Sequence, residues 1–278
     1  MLAVSLYWAY LASFLTGAVF TCLLLPVLLK MICNAGFLRP NYSGKSIPAA
    51  AGLIFFMISP FVAFMYLLLF NNTEDALLFF IMVTSFAFLG FIDDIWGSRD
   101  VGGLAGHFKV LLFKKELNTG ALKALGGAVV SLLAALTFDF SWWAFIYALV
   151  IAMSANSINL LDLRPGRAGK GFILIAAFLL ALGWKQDNLF FLIALFGGLI
   201  VYLKTDLKAE AMLGDSGSNS LGAVLGITAM WVLDKPVLLG YLLVLAVFHL
   251  LSERYSVTKI ISGSRLLNYL DRLGRCDR

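Results

Sequence analysis

Nine long apolar stretches, separated by short polar segments, constrain the fold of this sequence more than any other feature. A transmembrane helix needs about 20 apolar residues, and continuous rather than alternating apolarity favours helices over a barrel. The chain is 61% hydrophobic and 13% charged, whereas soluble domains are about half apolar and a quarter charged. The sequence therefore predicts an all-α, polytopic membrane helix bundle. The predicted spans are approximately Leu6–Leu29, Ile47–Phe70, Ala76–Ile95, Ala121–Phe138, Trp142–Leu161, Gly171–Trp184, Leu189–Leu203, Ser220–Leu233 and Val237–Leu251.

The basic residues predict the orientation of these spans, because cytoplasmic loops carry an excess of Lys and Arg. With the N-terminus outside and the C-terminus in the cytoplasm, 19 of the 21 Lys and Arg residues fall inside, and only Lys185 and Lys235 fall outside. The expected location is the inner (plasma) membrane. Residues 1–254 are predicted to form a single transmembrane domain, and residues 255–278 a basic amphipathic cytoplasmic tail.

Four carboxylates from three distant spans are predicted to share the cytoplasmic face. Asp93 and Asp94 end the third span, Asp162 follows the fifth, and Asp215 precedes the eighth. Helix-end capping explains a single acidic residue, but adjacent carboxylates repel each other unless a cation neutralises them. Because Mg²⁺ binds carboxylates together with substrate phosphates, the pattern favours a metal site over capping.

Polar residues around these carboxylates predict a binding site for phosphate groups. Asn156, Asn159 and Asp162 share one helix face, since they are three residues apart. Such amides often only join membrane helices, but here the basic sequence "RPGR" follows them. The segment Gly214–Ser218 opens a helix with glycines and backbone amides, which suits an anion. The same "GDSGS" pattern also occurs in soluble hydrolases. The binding candidates are Asn156, Asn159, Arg164, Arg167, Gly214, Ser216 and Ser218.

The loop of residues 102–123 carries apolar residues at helical spacing, which predicts an amphipathic helix on the inner leaflet. Its lysines are expected to contact anionic lipid, while His107 and Lys109 are close enough in sequence to Asp94 to reach a diphosphate. The tail repeats this amphipathic pattern.

An acidic site beside phosphate-binding amides on membrane helices predicts phosphate transfer from a nucleotide-activated soluble donor to a lipid phosphate. Two non-enzymatic alternatives are a transporter, which should place ionisable groups near the membrane midplane, and a degenerate transferase, which should lose the carboxylates. Both fit the sequence less well, and no nucleic-acid partner is expected.

The chain resembles the polyprenyl-phosphate N-acetylhexosamine-1-phosphate transferases, which include the enzyme that makes lipid I and those that start O-antigen and teichoic-acid chains. The order and shared membrane side of six segments carry the resemblance, which spans roughly residues 20–260. The segments are "KSIPAAAG" (45–52), "GFIDD" (90–94), "GHFK" (106–109), "NSINLLD" (156–162), "MLGDSGSNSLG" (212–222) and "ERYSV" (253–257).

The resemblance implies a Mg²⁺-dependent enzyme, with Mn²⁺ as the alternative ion. It implies transfer of a sugar-1-phosphate from a UDP-amino sugar such as UDP-GlcNAc to undecaprenyl phosphate, release of UMP and initiation of a cell-envelope glycan. By position, Asp93 or Asp94 would deprotonate or orient the lipid phosphate, and Asp215 with Asp94 would bind the metal. Asn156, Asn159 and Asp162 would line the nucleotide and diphosphate site, and Lys109 would contact phosphate. A homodimer is expected by analogy with the family.

The sequence departs from the family pattern at two places. Leu163, Arg164 and Pro165 follow Asp162 where many members have a second acidic residue, so Arg164 or Arg167 is expected to take over phosphate contact. The histidine-rich loop and tenth helix of the lipid I enzyme have no counterpart after "ERYSV". The expected donor is therefore not the muramyl-pentapeptide nucleotide, which remains the alternative.

Overall fold

A computed structural model of the chain describes residues 5–97 and 118–275, and this part is almost entirely helical. The sequence-predicted helix at residues 102–123, with His107 and Lys109, lies mostly outside the described residues. The elements are α1 (Leu6–Asn34), β1 (Leu38–Pro40), β2 (Ser46–Pro48), α2 (Leu53–Phe70), α3 (Thr73–Trp96), α4 (Thr119–Phe138), α5 (Trp143–Leu161), α6 (Arg167–Leu182), α7 (Leu189–Leu207), α8 (Gly214–Val232), α9 (Lys235–Arg254), α10 (Val257–Gly263) and α11 (Arg265–Arg272).

Some of the helices begin at a residue whose side chain caps them. The Asn72 side chain accepts a hydrogen bond from the Asp75 backbone N–H at the start of α3. Asn118 caps α4 and Asp234 caps α9 in the same way. Such caps satisfy backbone N–H groups that have no partner within the helix, so the predicted and observed helices agree to within a few residues at these points.

Helix α8 is the centre of the bundle. It packs most extensively against α5 and α3 and also contacts α2, α6 and α7, and it is buried along nearly its whole length. Gly222 and Gly226 lie directly against the backbone of Ala155 and Ile151 on α5. A side chain at either glycine would separate the two helices, so both positions require glycine for close packing.

Seven helices in the described ranges are long and apolar enough to cross a membrane: α1, α2, α3, α4, α5, α7 and α9. Helix α6 has only 16 residues, and α8 opens with the polar segment Gly214–Ser220. The outer faces of α1 and α9 expose large apolar side chains, as expected of helices in contact with lipid. The protein is thus a polytopic all-α membrane protein, while nine spans and their orientation stay predictions.

A small hairpin interrupts the all-α pattern before α2. Strands β1 and β2 pair antiparallel with Leu38 opposite Pro48, so α2 begins at Leu53 and not at the predicted Ile47. The segment after β2 hydrogen-bonds to the chain that leads into α8: Met212 N–H donates to the Pro48 carbonyl (2.8 Å) and Gly52 N–H to the Leu213 carbonyl (2.9 Å). The hairpin therefore fixes the approach to Asp215.

Candidate active site

The two adjacent aspartates at the end of α3 have different partners. Both Asp94 oxygens accept backbone hydrogen bonds from the start of α8, from Asp215 N–H (2.8 Å) and Ser216 N–H (3.0 Å). A carboxylate at a helix N-terminus satisfies unpaired N–H groups and complements the helix dipole. Gly90, one turn earlier, lies against the Asp215 backbone and permits this approach. Asp94 therefore fixes the position of Asp215.

Asp93 faces Asp215 across the ammonium group of Lys123. Lys123 Nζ lies 2.8 Å from Asp93 Oδ2 and also forms an ion pair with Asp215 Oδ2. The three side chains come from the ends of α3, α4 and α8. Their exposed fractions are 19% for Asp93, 19% for Lys123 and 26% for Asp215, so water and solutes can reach them. The single positive charge of Lys123 thus lies between two carboxylates at a solvent-accessible point of the bundle.

Asn159 completes this cluster from α5. In the amide orientation that satisfies both of its ends, the oxygen accepts from Lys123 Nζ (3.2 Å) and the nitrogen donates to Asp215 Oδ1 (3.0 Å) and Ser218 Oγ (3.1 Å); such orientations are assigned from hydrogen bonding. Asn156 lies three residues earlier on the same helix and is partly buried. Four helices, α3, α4, α5 and α8, therefore each contribute a polar side chain to one small cluster.

Asp162, directly after α5, lies near the same cluster. Burial raises the pKa of its carboxyl well above the ordinary value, and the charges of Asp206, Asp215 and Asp94 raise it further, while the Gly214 backbone N–H acts in the opposite direction. All four carboxylates singled out in the sequence therefore lie at one face of the bundle. Asp206, at the end of α7, joins them and accepts a hydrogen bond from Gly166 N–H (2.9 Å).

Comparison with known proteins decides the family. The sequence model described as glycosyl transferase family 4 matches residues 75–233, which is more than half of the chain and includes Asp93, Asp94, Asp162, Asp206 and Asp215. The chain belongs to glycosyl transferase family 4. The predicted resemblance is thereby confirmed, and the protein is a multi-pass membrane phosphotransferase of this family.

Several curated relatives of this family 4 protein carry the name phospho-N-acetylmuramoyl-pentapeptide-transferase. The chain is 24% identical to the one from Clostridium perfringens (strain 13 / Type A) over 274 residues, which cover 93% of the chain and 85% of the relative. It is 27% identical to the one from Borreliella burgdorferi (strain ZS7) over 273 residues, which cover 87% of the chain and 76% of the relative. The match thus extends over most of both proteins.

The phosphate-binding candidates of this family 4 chain lie in different settings. Gly214 and Ser216 open α8, where the anion at the backbone amides is the Asp94 carboxylate. Ser218 contacts Asn159. The Arg164 guanidinium stacks over the Tyr42 ring at 5.1 Å. These residues surround the carboxylate cluster, and their roles in binding stay predictions.

Arg167 is turned towards the tail. Its Nε and Nη2 atoms donate to the two oxygens of Asp271 on α11 (2.8 and 2.9 Å), and its Nη1 atom donates to Thr258 Oγ1 (3.0 Å). Arg275 Nη2 donates to the same carboxylate (2.6 Å). Burial alone would raise the pKa of Asp271, but Arg167 and then Arg275 outweigh it and hold this pKa below its usual value. The tail is therefore docked on the start of α6.

We expect Asp271→Asn to undock the tail, because it leaves two guanidinium groups at a buried position without their counter-charge, at a cost of about 3 kcal/mol. Trypsin should then cut within residues 255–275 at least tenfold faster than in the unchanged protein. Asp187→Asn, an exposed carboxylate in the loop before α7, is the matched control. Equal cleavage rates for both variants would contradict the docking role.

The same contact predicts the direction of a pH effect. A carboxyl whose pKa is lower in the folded state than its unfolded value of about 3.9 stabilises the fold above that pH. The docking of Asp271 should therefore persist at pH 5 and weaken only as the pH falls below roughly 4, through the lowered folded pKa.

Sequence reasoning missed Lys123 and Asp206 in this family 4 site. The sequence places Lys123 among the cytoplasmic lysines that orient the spans, and the structure places it inside α4, five residues after the Asn118 cap. Asp206 lies at the end of α7, on the same predicted membrane face as the other carboxylates. That position in the sequence is the feature that could have identified it as part of the site.

The residues present fit a divalent metal ion of the kind expected for the family. Within residues 5–97 and 118–275, no three Asp, Glu, His or Cys side chains form a metal-binding group. Mg²⁺, however, usually takes only one or two carboxylates and completes its shell with phosphates and water. Asp93, Asp215 and the Asn159 amide oxygen around Lys123 Nζ provide such a set of oxygens. This geometry favours Asp93 over the predicted Asp94 as the partner of Asp215.

Proposed function

We propose that the protein transfers a sugar-1-phosphate from a UDP-amino sugar to a polyprenyl phosphate at the cytoplasmic membrane face and releases UMP. The observation that carries the proposal is the ammonium group of Lys123, which lies between the carboxylates of Asp93 and Asp215 where four helix ends meet. Membership of glycosyl transferase family 4 supports a nucleotide-sugar donor and a polyprenyl phosphate acceptor. The product would start a cell-envelope glycan.

Each side chain of the cluster has a different proposed role. Asp93, Asp215 and Asn159 would hold Mg²⁺, which would supply positive charge next to the diphosphate of the donor. Asp94 keeps the start of α8 in place, so that Asp215 is held ready. Lys123, with its flexible stem and single charge, stabilises negative charge on the phosphate oxygens. A phosphate monoester is largely ionised at neutral pH, so the acceptor needs orientation more than deprotonation.

The donor screen that tests this proposal uses purified protein, polyprenyl phosphate, Mg²⁺ and one UDP-sugar at a time, with released UMP as the readout. We expect UMP from at least one donor and a fall of at least about 100-fold in excess chelator, since the metal carries the electrostatic stabilisation. Protein with Asp215→Asn, prepared in parallel, controls for contaminating enzymes. Absence of UMP with every donor, or full activity in chelator, would contradict the proposal.

The same screen tests the second candidate, phospho-N-acetylmuramoyl-pentapeptide transfer, which the names of the relatives favour. UDP-N-acetylmuramoyl-pentapeptide and UDP-GlcNAc should be compared at equal concentration. Release of UMP from the peptide-bearing donor alone would select this candidate, and preference for UDP-GlcNAc would select the main one.

A further inference from the structure

The tail helix α11 turns a polar side towards the protein and an apolar side outwards. Asp271, on the inner side, is buried against Arg167. The other side carries large apolar side chains at helical spacing, and all of them are exposed. This outer face consists of Leu266, Leu267, Tyr269, Leu270 and Leu273. A surface helix of a globular protein directs its apolar side to the core, so the outer face of α11 requires a different apolar surface to cover it.

Helix α11 ends at the edge of the bundle, beside an exposed apolar side of α6. Lys170 Nζ donates to the backbone carbonyls of Leu270 (3.0 Å) and Asp271 (2.7 Å). Leu174 and Phe178 follow Lys170 at steps of four residues, and both are exposed. Because residues four apart lie on the same side of a helix, Lys170 belongs to this apolar side. Its contact places the end of α11 about one helical turn from α6 residues that are suited to face lipid.

The start of the tail also lies at the membrane surface. Helix α9 is long and apolar enough to span the membrane, and its exposed apolar residues continue to Leu250. Tyr255 and Ser256 alone separate its last residue, Arg254, from α10. Tyr255 and Tyr269 are both exposed, and tyrosine is enriched where hydrocarbon meets lipid headgroups. Both ends of the tail are therefore suited to the headgroup level of the bilayer.

Basic side chains accompany the outer face of α11. Arg254 and Lys259 line a cleft of about 370 Å³ at the junction of α9 and α10, together with Tyr255. Arg265 is the first residue of α11, and all three basic side chains are exposed. Long basic side chains reach from an apolar surface to the headgroups, and anionic headgroups attract them.

The charge of the chain decides between two possible partners for this face. A symmetric contact between two copies places the same patch on both sides, so a second tail would bring the same basic residues to the contact. The whole chain has a net charge of +5. A negatively charged phospholipid complements the tail, whereas a second copy of the tail repels it.

We propose that the tail docks on α6 through its polar side and on the bilayer through the outer face of α11, where Arg254, Lys259 and Arg265 bind anionic phospholipid headgroups. The inference concerns lipid contact and does not rest on the proposed function. It links the membrane surface to the candidate active site, because Arg275 Nε donates to the carbonyl of Pro165 (2.8 Å) in the loop after Asp162.

The test compares two nanodiscs of identical lipid composition, an equal mixture of phosphatidylglycerol and phosphatidylcholine, that differ only in which lipid carries brominated acyl chains. Bromine quenches a fluorophore at short range, so the comparison reports which lipid lies nearest. Full-length protein, with its three cysteines replaced by alanine, carries a bimane label at Leu266→Cys. Leu266 is 66% exposed at the middle of the outer face. We expect roughly twofold stronger quenching by brominated phosphatidylglycerol, since basic residues attract anionic headgroups.

Three further variants control the measurement. The same label at Ser262→Cys, an exposed position in the cleft between the tail and the loop after Asp162, should be quenched little by either lipid. A triple change should keep the quenching at Leu266→Cys and remove its preference for phosphatidylglycerol: Arg254→Gln, Lys259→Gln and Arg265→Gln. The matched triple change removes exposed lysines from other helix ends and should leave the preference unchanged: Lys30→Gln, Lys204→Gln and Lys208→Gln.

Three results would overturn the inference, and none of them bears on the proposed function. An unquenched Leu266→Cys label with the emission of bimane in water would show that the outer face is open to solvent. A shielded label that neither lipid quenches, together with disulfide formation between two unlabelled copies of the Leu266→Cys variant, would assign the face to a contact between protomers. Equal quenching by the two brominated lipids would exclude selection of anionic headgroups.

Discussion

Asp215→Asn is expected to lower turnover by about a thousandfold or more while the protein still inserts and folds. Asparagine has nearly the same shape, so it keeps a hydrogen bond to Asn159, but it removes the charge that faces Lys123 and would bind the metal. The measurement is UMP release, together with thermal unfolding of the same preparation. Glu74→Gln, at the opposite end of α3 from Asp93, is the control and should retain full activity.

Asp94→Asn should also abolish turnover, and its comparison with Asp215→Asn separates chemistry from support. With asparagine at position 94, the side-chain NH₂ group would face one of the two backbone N–H groups at the start of α8, and that N–H group would lose its acceptor. This variant should therefore also lose about 1–2 kcal/mol of stability. Asp215→Asn should show little loss of stability. Normal UMP release by Asp215→Asn would remove the metal mechanism.

The second large effect is expected for Lys123→Met. This change leaves Asp93 and Asp215 facing each other without a counter-charge, so without divalent ions the melting temperature should fall by roughly 5 °C. Mg²⁺ should restore it, because the ion would then neutralise both carboxylates. Mg²⁺ should raise the melting temperature of the unchanged protein less, because the ion must first displace the Lys123 ammonium group from between the two carboxylates.

Lys123→Arg keeps the charge and serves as the matched variant for this measurement. Its melting temperature should be close to that of the unchanged protein when no divalent ion is present. If Mg²⁺ stabilises Lys123→Met and the unchanged protein equally, the ion does not bind between Asp93 and Asp215, and the metal site must be sought elsewhere in the chain.

The meeting of the carboxylates could be predicted because it follows from topology alone. Asp93, Asp94, Asp162 and Asp215 each lie next to a helix end on the same predicted side, and antiparallel packing brings such ends together. The family could be recognised from the same segments. Both conclusions depend on the order of apolar and acidic residues along the chain, which the sequence shows directly.

The partners of individual side chains could not be predicted in this way. Lys123 reaches two carboxylates across three helices, which depends on the packing of those helices and on a side-chain conformation. Asp94 looked equivalent to Asp93, and only the position of α8 separates their roles. The hairpin before α2 was missed because Ile47–Leu53 is apolar and reads as part of a span.

The tail illustrates a different limit. Its amphipathic pattern suits a lipid surface and a protein surface equally well, since both bury apolar side chains beneath a basic face. The ion pair of Arg167 with Asp271 docks one polar face of α11 on the protein, while the apolar side chains of Leu266, Tyr269 and Leu270 stay exposed. Its members are 104 residues apart in sequence, and pattern alone does not relate residues at that distance.

The central position of α8 affects how changes in the bilayer reach the candidate active site. Because protein covers this helix on nearly every side, changes in bilayer thickness or lipid order act first on α1 and α9, whose outer faces are exposed. We therefore expect changes in the bilayer to reach the Asp215 carboxylate only through the helices that surround α8.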